Sequence, residues 1–363
     1  MYSGNTPSRL NKEHFNGAIN WISSGELKEH YIADTKEKIS DEAAKTLKML
    51  PIGTFVIAIY GLEADGVRGT GSITKTEATI SQACMAFISK GKVQNEFLYS
   101  LYKKHGNVIG IRYAQGTKQQ NLSYDIIEKF KIAYPTFQEQ EKLNKFIALL
   151  DERIATQNKI IEDLKKLKSA IIEIEYTPNT KTTSHIGNVI EQISKRNKNN
   201  AIQNVLSVSN RQGFIKQSDQ FENRNVASED TSNYKIVEKN DFAFNPARIN
   251  VGSIARLTTF EKGIISPMYI CFRTQENVAP EYIDYFFESK HFYCEIQKRL
   301  EGSVRQCLSF EGLCNIPFSL PSLEMQQRIG KRLFTLGQKI KTETDLLELL
   351  NKQKQYLLRQ MFI

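Results

Sequence analysis

Side chains able to do chemistry are few in this sequence, and their spacing gives them little to do. Five histidines, His14, His30, His105, His185 and His291, lie far apart. None has a carboxylate or thiol at the spacing of a catalytic triad or a metal site, so surface or capping roles are expected. Five cysteines, Cys84, Cys271, Cys294, Cys307 and Cys314, form no Cys-x-x-Cys pair and no cluster with histidine. An odd, scattered set reads as reduced, mostly buried thiols. The run Gly66-Val67-Arg68-Gly69-Thr70-Gly71 invites a phosphate-loop reading. It lacks the Walker lysine pattern and the strand-to-helix context of a dinucleotide fingerprint, and a polar strand follows it. These are turn glycines.

Asn245-Pro246 begins like the Asn-Pro-Pro-aromatic motif with which N6-adenine methyltransferases hold a flipped base. Here Ala247-Arg248 follows and no glycine-rich cofactor motif precedes, so methyl transfer by this chain is rejected. The chemistry that the loops do permit is contact with nucleic acid. Arg68, Lys118 and Gln119 in the first half, and Arg196, Arg211, Arg248, Asn250, Arg256 and Arg305 in the second, fall in Gly- or Asn-rich segments between strands. Arginine and lysine take guanine edges or phosphates, and asparagine and glutamine take adenine edges. Neighbouring glycines let the backbone come close. For any single residue the competing reading is solvated surface charge.

What must position these loops is a stretch that occurs twice. Gln115–Tyr176 and the segment from Glu301 to the chain's end align without a gap: Gly116 with Gly302, Gln120 with Gln306, Leu122-Ser123 with Leu308-Ser309, Pro135 with Pro321, Gln140 with Gln326. A period this long is a duplicated domain-plus-helix unit, not a solenoid. After each proline, apolar residues recur at alternating steps of four and three. The first set is Leu143, Ile147, Leu150, Ile154, Ile161, Leu164 and Ile171; the second is Ile329, Leu333, Leu336, Ile340, Leu347, Leu350 and Leu357. That is a heptad seam, and both copies break it at matching places, Gln157/Glu343 and Lys168/Lys354. A helix of about 36 residues spans about 54 Å, longer than a small domain is wide, so its apolar stripe needs a partner. The first helix carries the chain from one globular unit into the next and the second leaves the second unit. If they pair, they are antiparallel, with one globular unit at each end. Leu150→Asp or Leu336→Asp should unpair them.

The expected organisation is α+β: a mixed globular unit over 1–134, a long helix over 135–176, a second unit over 177–320 and a closing helix over 321–363. In the first unit GAINWISSGELK is expected to enter as a strand, ISDEAAKTLKML to form a helix capped by Ser40, GTFVIAIYG and ATISQACMAFIS to form apolar strands, and NEFLYSLYKKH a second helix. Gly61–Thr76 is expected as an exposed hairpin or loop. In the second unit DFAFNPARINVGSIARL, GIISPMYICF and PEYIDYFFESK answer these in order. His185–Gln192 has no counterpart ahead of Tyr2-Ser3-Gly4. The first element of unit one is therefore either missing or supplied by another segment, such as the apolar Met361-Phe362-Ile363.

Composition sets the outer bounds. In 363 residues, 40% hydrophobic and 25% charged, two or three domains can each bury a core. The polar start MYSGNTPSRLNK and the lack of a spanning apolar run predict a cytoplasmic protein with no membrane partner. Lys plus Arg exceed Asp plus Glu by nine (49 − 40), a balance that points weakly to a polyanion.

Taken in order, these motifs resemble the specificity subunits of type I restriction-modification systems. GNTPSR…INWIS, PIGT, SQACMAF and QGTKQQNLS, then FNPARINVGSIA and SFEGL, look like that family's target recognition domains. Pro135–Gln140 and Pro321–Gln326 look like the starts of its two central spacer helices, and the shortened start of unit one departs from the pattern. The resemblance implies a chain with no catalytic activity and no cofactor of its own. Each recognition domain would read one half of a split double-stranded DNA sequence. Two modification subunits would dock and methylate adenine with S-adenosylmethionine, and ATP-dependent restriction subunits could join. Base flipping would belong to the partner. The rival reading is a coiled-coil adaptor with incidental DNA affinity, which predicts no preference among DNA sequences at moderate salt. An enzyme in its own right would reveal itself by methylation or cleavage from the purified chain.

Overall fold

The computed structural model describes residues 1–64, 66–116, 118–177, 184–210, 212–220, 230–302 and 306–362, all but the Gln220 side chain. In chain order the elements are β1 (Tyr2–Ser3), β2 (Ile19–Ile22), β3 (Tyr31–Ile32), β4 (Lys38–Ile39), α1 (Asp41–Lys45), β5 (Phe55–Ala58), β6 (Gly71–Thr74), β7 (Thr79–Ile80), β8 (Cys84–Phe87), α2 (Asn95–Tyr113), α3 (Tyr124–Glu128) and α4 (Phe137–Tyr176). There follow β9 (Ser184–His185), β10 (Ile190–Ile193), β11 (Val205–Ser209), β12 (Gly213–Lys216), α5 (Gln217–Gln220), β13 (Lys235–Glu238), β14 (Phe242–Phe244), β15 (Ile254–Arg256), β16 (Lys262–Ile265), β17 (Ile270–Thr274), α6 (Pro280–Phe286), α7 (Lys290–Gln297), α8 (Phe310–Cys314), β18 (Pro317–Phe318) and α9 (Leu323–Met361). The chain divides into two compact units, one of residues 1–158 with 346–363 and one of residues 159–345. Each long helix is thus shared: one half belongs to the core of unit one and the other half to the core of unit two.

Unit one is built on the sheet β1-β8-β5-β6-β3 beside the small sheet β4-β2-β7. β5 is buried along its whole length, which is why Phe-Val-Ile-Ala reads as a continuous apolar run without alternation. β6 is buried too, so the end of the expected exposed loop is in fact an inner strand, covered by β5 and α2. The Ser40 hydroxyl accepts from the Ala43 amide at 3.3 Å, as its N-cap position requires, but the helix it starts is only Asp41–Lys45. α2 departs the other way, running on to Tyr113 through Gly106 and Gly110. Tertiary packing overrides the helix penalty of glycine. A Cβ on Gly69 (φ +71°) would stand 2.7 Å from the Asn107 amide nitrogen, and one on Gly110 would stand 2.6 Å from Cγ of Arg68.

Unit two repeats the plan. Its sheet β10-β17-β14-β15 has the order of β1-β8-β5-β6, and the parallel pair β11/β16 answers β2/β7. Its largest core packs Phe242, Phe244, Phe272, Tyr282 and Phe286 with Ile172, Tyr176, Ile329 and Leu333 from the long helices.

The seam residues all turn inward or halfway inward. In unit one, Ile147 and Leu350 are buried and Leu143, Leu150, Ile154 and Leu347 half-buried; Ile147 clusters with Leu143, Leu358 and Phe362. In unit two, Ile161, Ile329 and Leu333 are buried and Leu164, Leu336 and Ile340 half-buried. Asp151 pairs with Lys354 in unit one and Glu175 with Arg332 in unit two. In unit one the residue numbers rise on one helix, from Ile147 to Asp151, as they fall on the other, from Phe362 to Lys354, which is antiparallel pairing. The breaks are used: Lys354 finds Asp151, and Lys168 finds Glu288 at 2.6 Å.

The Pro-x-x-x-x-Gln motif has a structural reason. Gln140 is fully buried; its Oε1 accepts from the Gln94 amide at 2.8 Å, and its Nε2 donates to the carbonyls of Lys92 and Pro135 at 3.0 Å. Gln326 repeats this with the Ala279 amide and the Pro321 carbonyl, each at 2.9 Å. Each glutamine ties the start of a long helix to the start of a domain helix. Gln140→Leu should cost about 2–3 kcal/mol, because it strands buried backbone groups, and urea unfolding of unit one should report it.

Phe362 is buried against Phe97, with ring centroids 5.1 Å apart. It closes the end of α9 as Tyr176 closes α4 on Tyr282, and does not supply unit one with a counterpart of β9. Ile363 lies outside the described residues. No helix among the described residues is long and apolar enough to cross a membrane.

Candidate nucleic-acid interface

In unit one two loops are laced together at the end of β5. Gln115 and Asn121 exchange backbone hydrogen bonds at 2.8 and 2.9 Å, which closes a loop over 115–121. Gly116 makes its turn at φ +107°, in the left-handed region that favours glycine. The Leu122 amide donates to the Ile59 carbonyl at 2.8 Å and the Leu62 amide to the Gln120 carbonyl at 3.0 Å, fixing this loop to the glycine-rich one. Across the junction Arg68 Nη2 donates to Gln120 Oε1 at 2.7 Å. The Gln120 amide donates to Glu63 and holds its carboxyl below the usual range, helped by Arg68. Arg68, Lys118 and Gln119 are therefore brought to one place, with Lys118 and Gln119 exposed and Arg68 half-buried. Arg68 Nε is buried without a hydrogen-bond partner in the described structure. Gln120 is the residue that single-site reasoning passes over. Its signal was its match with Gln306 across the repeat.

Unit two builds the same junction from different side chains. Glu301 and Cys307 exchange backbone hydrogen bonds, and the Leu308 amide donates to the Pro246 carbonyl at 3.0 Å. Asn245 is buried, and its Oδ1 accepts from the Ala247 amide at 3.1 Å; it shapes the turn. Buried Ile249 then pins the loop between exposed Arg248 and half-buried Asn250. Arg211 and Arg305 lie outside the described residues.

Two candidates stand apart. Arg196 is exposed beside β13 on the second sheet of unit two, with its Nη1 on Asn233 Oδ1 at 2.8 Å. Arg256 is a correction to the loop assignment: it ends β15, its side chain is only 10% exposed, and its guanidinium is committed internally. It bonds Glu281 at 2.6 Å, Asp284 at 3.1 Å and Asn240 at 3.0 Å. Burial pushes the Asp284 carboxyl up while Arg256 pulls it down. Arg256→Ala should destabilise unit two by about 2 kcal/mol, since it leaves carboxylates without their cation; a urea titration reads this directly.

His30 bonds Glu96 at 2.9 Å and stacks on Tyr99, and His291 bonds the Pro317 carbonyl at 3.0 Å. Among the described residues no group of His, Cys, Asp and Glu could hold a metal ion. The profile of the family described as "Type I restriction modification DNA specificity domain" matches residues 2–166 and again 171–352. The chain belongs to this family. Its two specificity domains coincide with the two copies of the sheet-and-helix plan.

Relatives agree. The type I restriction enzyme MjaIX specificity subunit of Methanocaldococcus jannaschii is 28% identical over 170 residues, 45% of this chain and 38% of that protein. The putative MjaX specificity subunit of the same organism is 24% identical over 297 residues, 74% of this chain and 66% of that one. The chain thus spans between about a third and two thirds of the length of these two relatives. The crystal structure of the type I restriction-modification S subunit of M. genitalium superposes over 100% of this chain and 93% of its own, with a TM-score of 0.58 at 15% identity. That likeness concerns the fold alone.

Proposed function

We propose that this chain is the DNA-recognition subunit of a type I restriction-modification complex. Each specificity domain reads one half of a bipartite double-stranded target. The reading is carried by the loop junction that occurs once in each domain, at equivalent positions, with Arg68, Lys118 and Gln119 in one and Arg248 and Asn250 in the other. Arginine, lysine, asparagine and glutamine are the side chains that discriminate base edges in the major groove. Two unlike sets on one scaffold fit two different half-sites. Arg196, on another sheet, fits a backbone contact that positions without specifying. Arg211 and Arg305 keep their place as candidates from the sequence; Arg256 is left out.

The chain is a scaffold and not the catalyst. Two modification subunits dock and methylate adenine with S-adenosylmethionine, and ATP-using restriction subunits join the same assembly, in the cytoplasm. Large apolar residues left exposed on the long helices, Leu149, Phe334, Leu349 and Tyr356, supply surface for such docking. Co-expression with candidate modification subunits and mapping of methylated adenines should return one split motif. A contiguous motif, or methylation without sequence preference, would leave only the adaptor reading.

A further inference from the structure

Counted back from the returning strand, the loops after β5 and β14 fall into register. Phe55 faces Ile73 and Phe87 in unit one, and Phe242 faces Arg256 and Phe272 in unit two. Five residues before Ile73 stands Arg68, and five before Arg256 stands Val251. The next residue is a left-handed glycine in both, Gly69 at φ +71° and Gly252 at φ +89°. Val251 is 54% exposed where unit one presents a guanidinium. Four residues before Phe272, Met268 is 60% exposed; its counterpart is the small, half-buried Ala83. Phe244 pairs with Ile254 on one side and Ile270 on the other, so the loops bearing Val251 and Met268 meet the same end of the sheet. The Asn245 amide donates to the Ser253 carbonyl at 3.0 Å and closes the first of them. Neither loop carries a carboxylate, and the first holds exposed Arg248.

We propose, resting on the DNA-recognition reading above, that Val251 and Met268 seat the C5-methyl group of a thymine in the half-site of unit two. An aliphatic side chain makes no hydrogen bond to a base edge. What it does recognise in the major groove is the thymine methyl, which no other base presents there. One exposed apolar residue alone is ordinary. Two at a single sheet end, one of them at the position of Arg68, in loops with no acid to repel phosphates, are not. The two units then read by different chemistry. Arg68 hydrogen-bonds in the first, while in the second Arg248 and Asn250 flank an apolar contact. Two side chains are too small an apolar patch to dock a protein, which favours the base as occupant.

The probes are duplexes selected from a randomised pool by the full chain with its modification subunits at fixed salt. Each is compared with a copy carrying uracil for thymine in one half at a time, which removes the methyl and leaves the base pair. In one half, uracil should weaken binding about fourfold, the burial of one methyl. Val251→Ala should reduce that penalty, and Val251→Ala combined with Met268→Ala should abolish it. Any penalty in the other half should be the same for all three proteins. Both sites are exposed, so urea midpoints should not move. A half-site without thymine, or a uracil penalty undiminished in the double variant, overturns the proposal while selection of a split sequence upholds the DNA reading. Selection of no sequence in either half overturns the reading, and the proposal with it. A double variant that keeps its DNA preference but loses a modification subunit assigns the patch to that protein and also overturns the proposal.

Discussion

Leu350→Asp should cripple unit one, while Leu349→Asp, one residue away, should leave its stability unchanged. Leu350 is 5% exposed and Leu349 is 61% exposed, although both are leucines on the same helix. Truncating a buried leucine costs about 2–5 kcal/mol, and a carboxylate placed there adds desolvation or must be protonated. Against a domain stability of about 5–15 kcal/mol, the sum removes most of the folded population. An exposed site away from special features shifts stability by about 0.5 kcal/mol or less. Leu333→Asp, at a fully buried position among Ile172, Tyr176 and Ile329, should do the same to unit two. Urea titrations of the three variants would test this. Equal midpoints for Leu349→Asp and Leu350→Asp would refute the antiparallel seam.

The second large effect falls on DNA. Under the proposed reading, Arg68→Ala should weaken binding at one half-site by about 10–100-fold, and Arg248→Ala should do so at the other. These are the magnitudes of a lost base-edge contact, about 1–3 kcal/mol. Each variant should relax sequence preference in its own half only. Gln120→Ala should lower affinity at the Arg68 half-site less, because Gln120 holds the guanidinium without being the reader. Competition with oligonucleotides randomised in one half at a time, at fixed salt, separates these outcomes. If Arg68→Ala and Arg248→Ala both weaken every sequence alike, the two arginines contact phosphates and the readers lie elsewhere.

Different parts of this picture were available at different stages. The gapless repeat, the heptad seam and the Pro-x-x-x-x-Gln starts were legible because they are local and periodic. A stripe at steps of four and three is the same in the sequence as on the helix. The strand cores Phe55–Ala58 and Phe242–Phe244 were legible for a similar reason, as apolar runs too short for helices. Less of the candidate site was readable. That Arg68, Lys118 and Gln119 share a junction depends on backbone bonds between Ile59–Leu62 and Gln115–Leu122, which no spacing encodes. Arg256 looked like its neighbours in a glycine- and asparagine-rich segment until Glu281 and Asp284, from a later helix, enclosed it.

By itself the sequence determined a duplicated chain, two long amphipathic helices able to pair only antiparallel, and loops rich in side chains that recognise bases. Those follow from periodicity and residue chemistry, which need no neighbour to be evaluated. Only the tertiary structure decided that α2 runs eight residues beyond His105, through two glycines. It alone divided each long helix between two cores and set Arg256 among carboxylates. Each of these is a contact between residues far apart in the chain, and burial by such contacts is what outweighs local propensity.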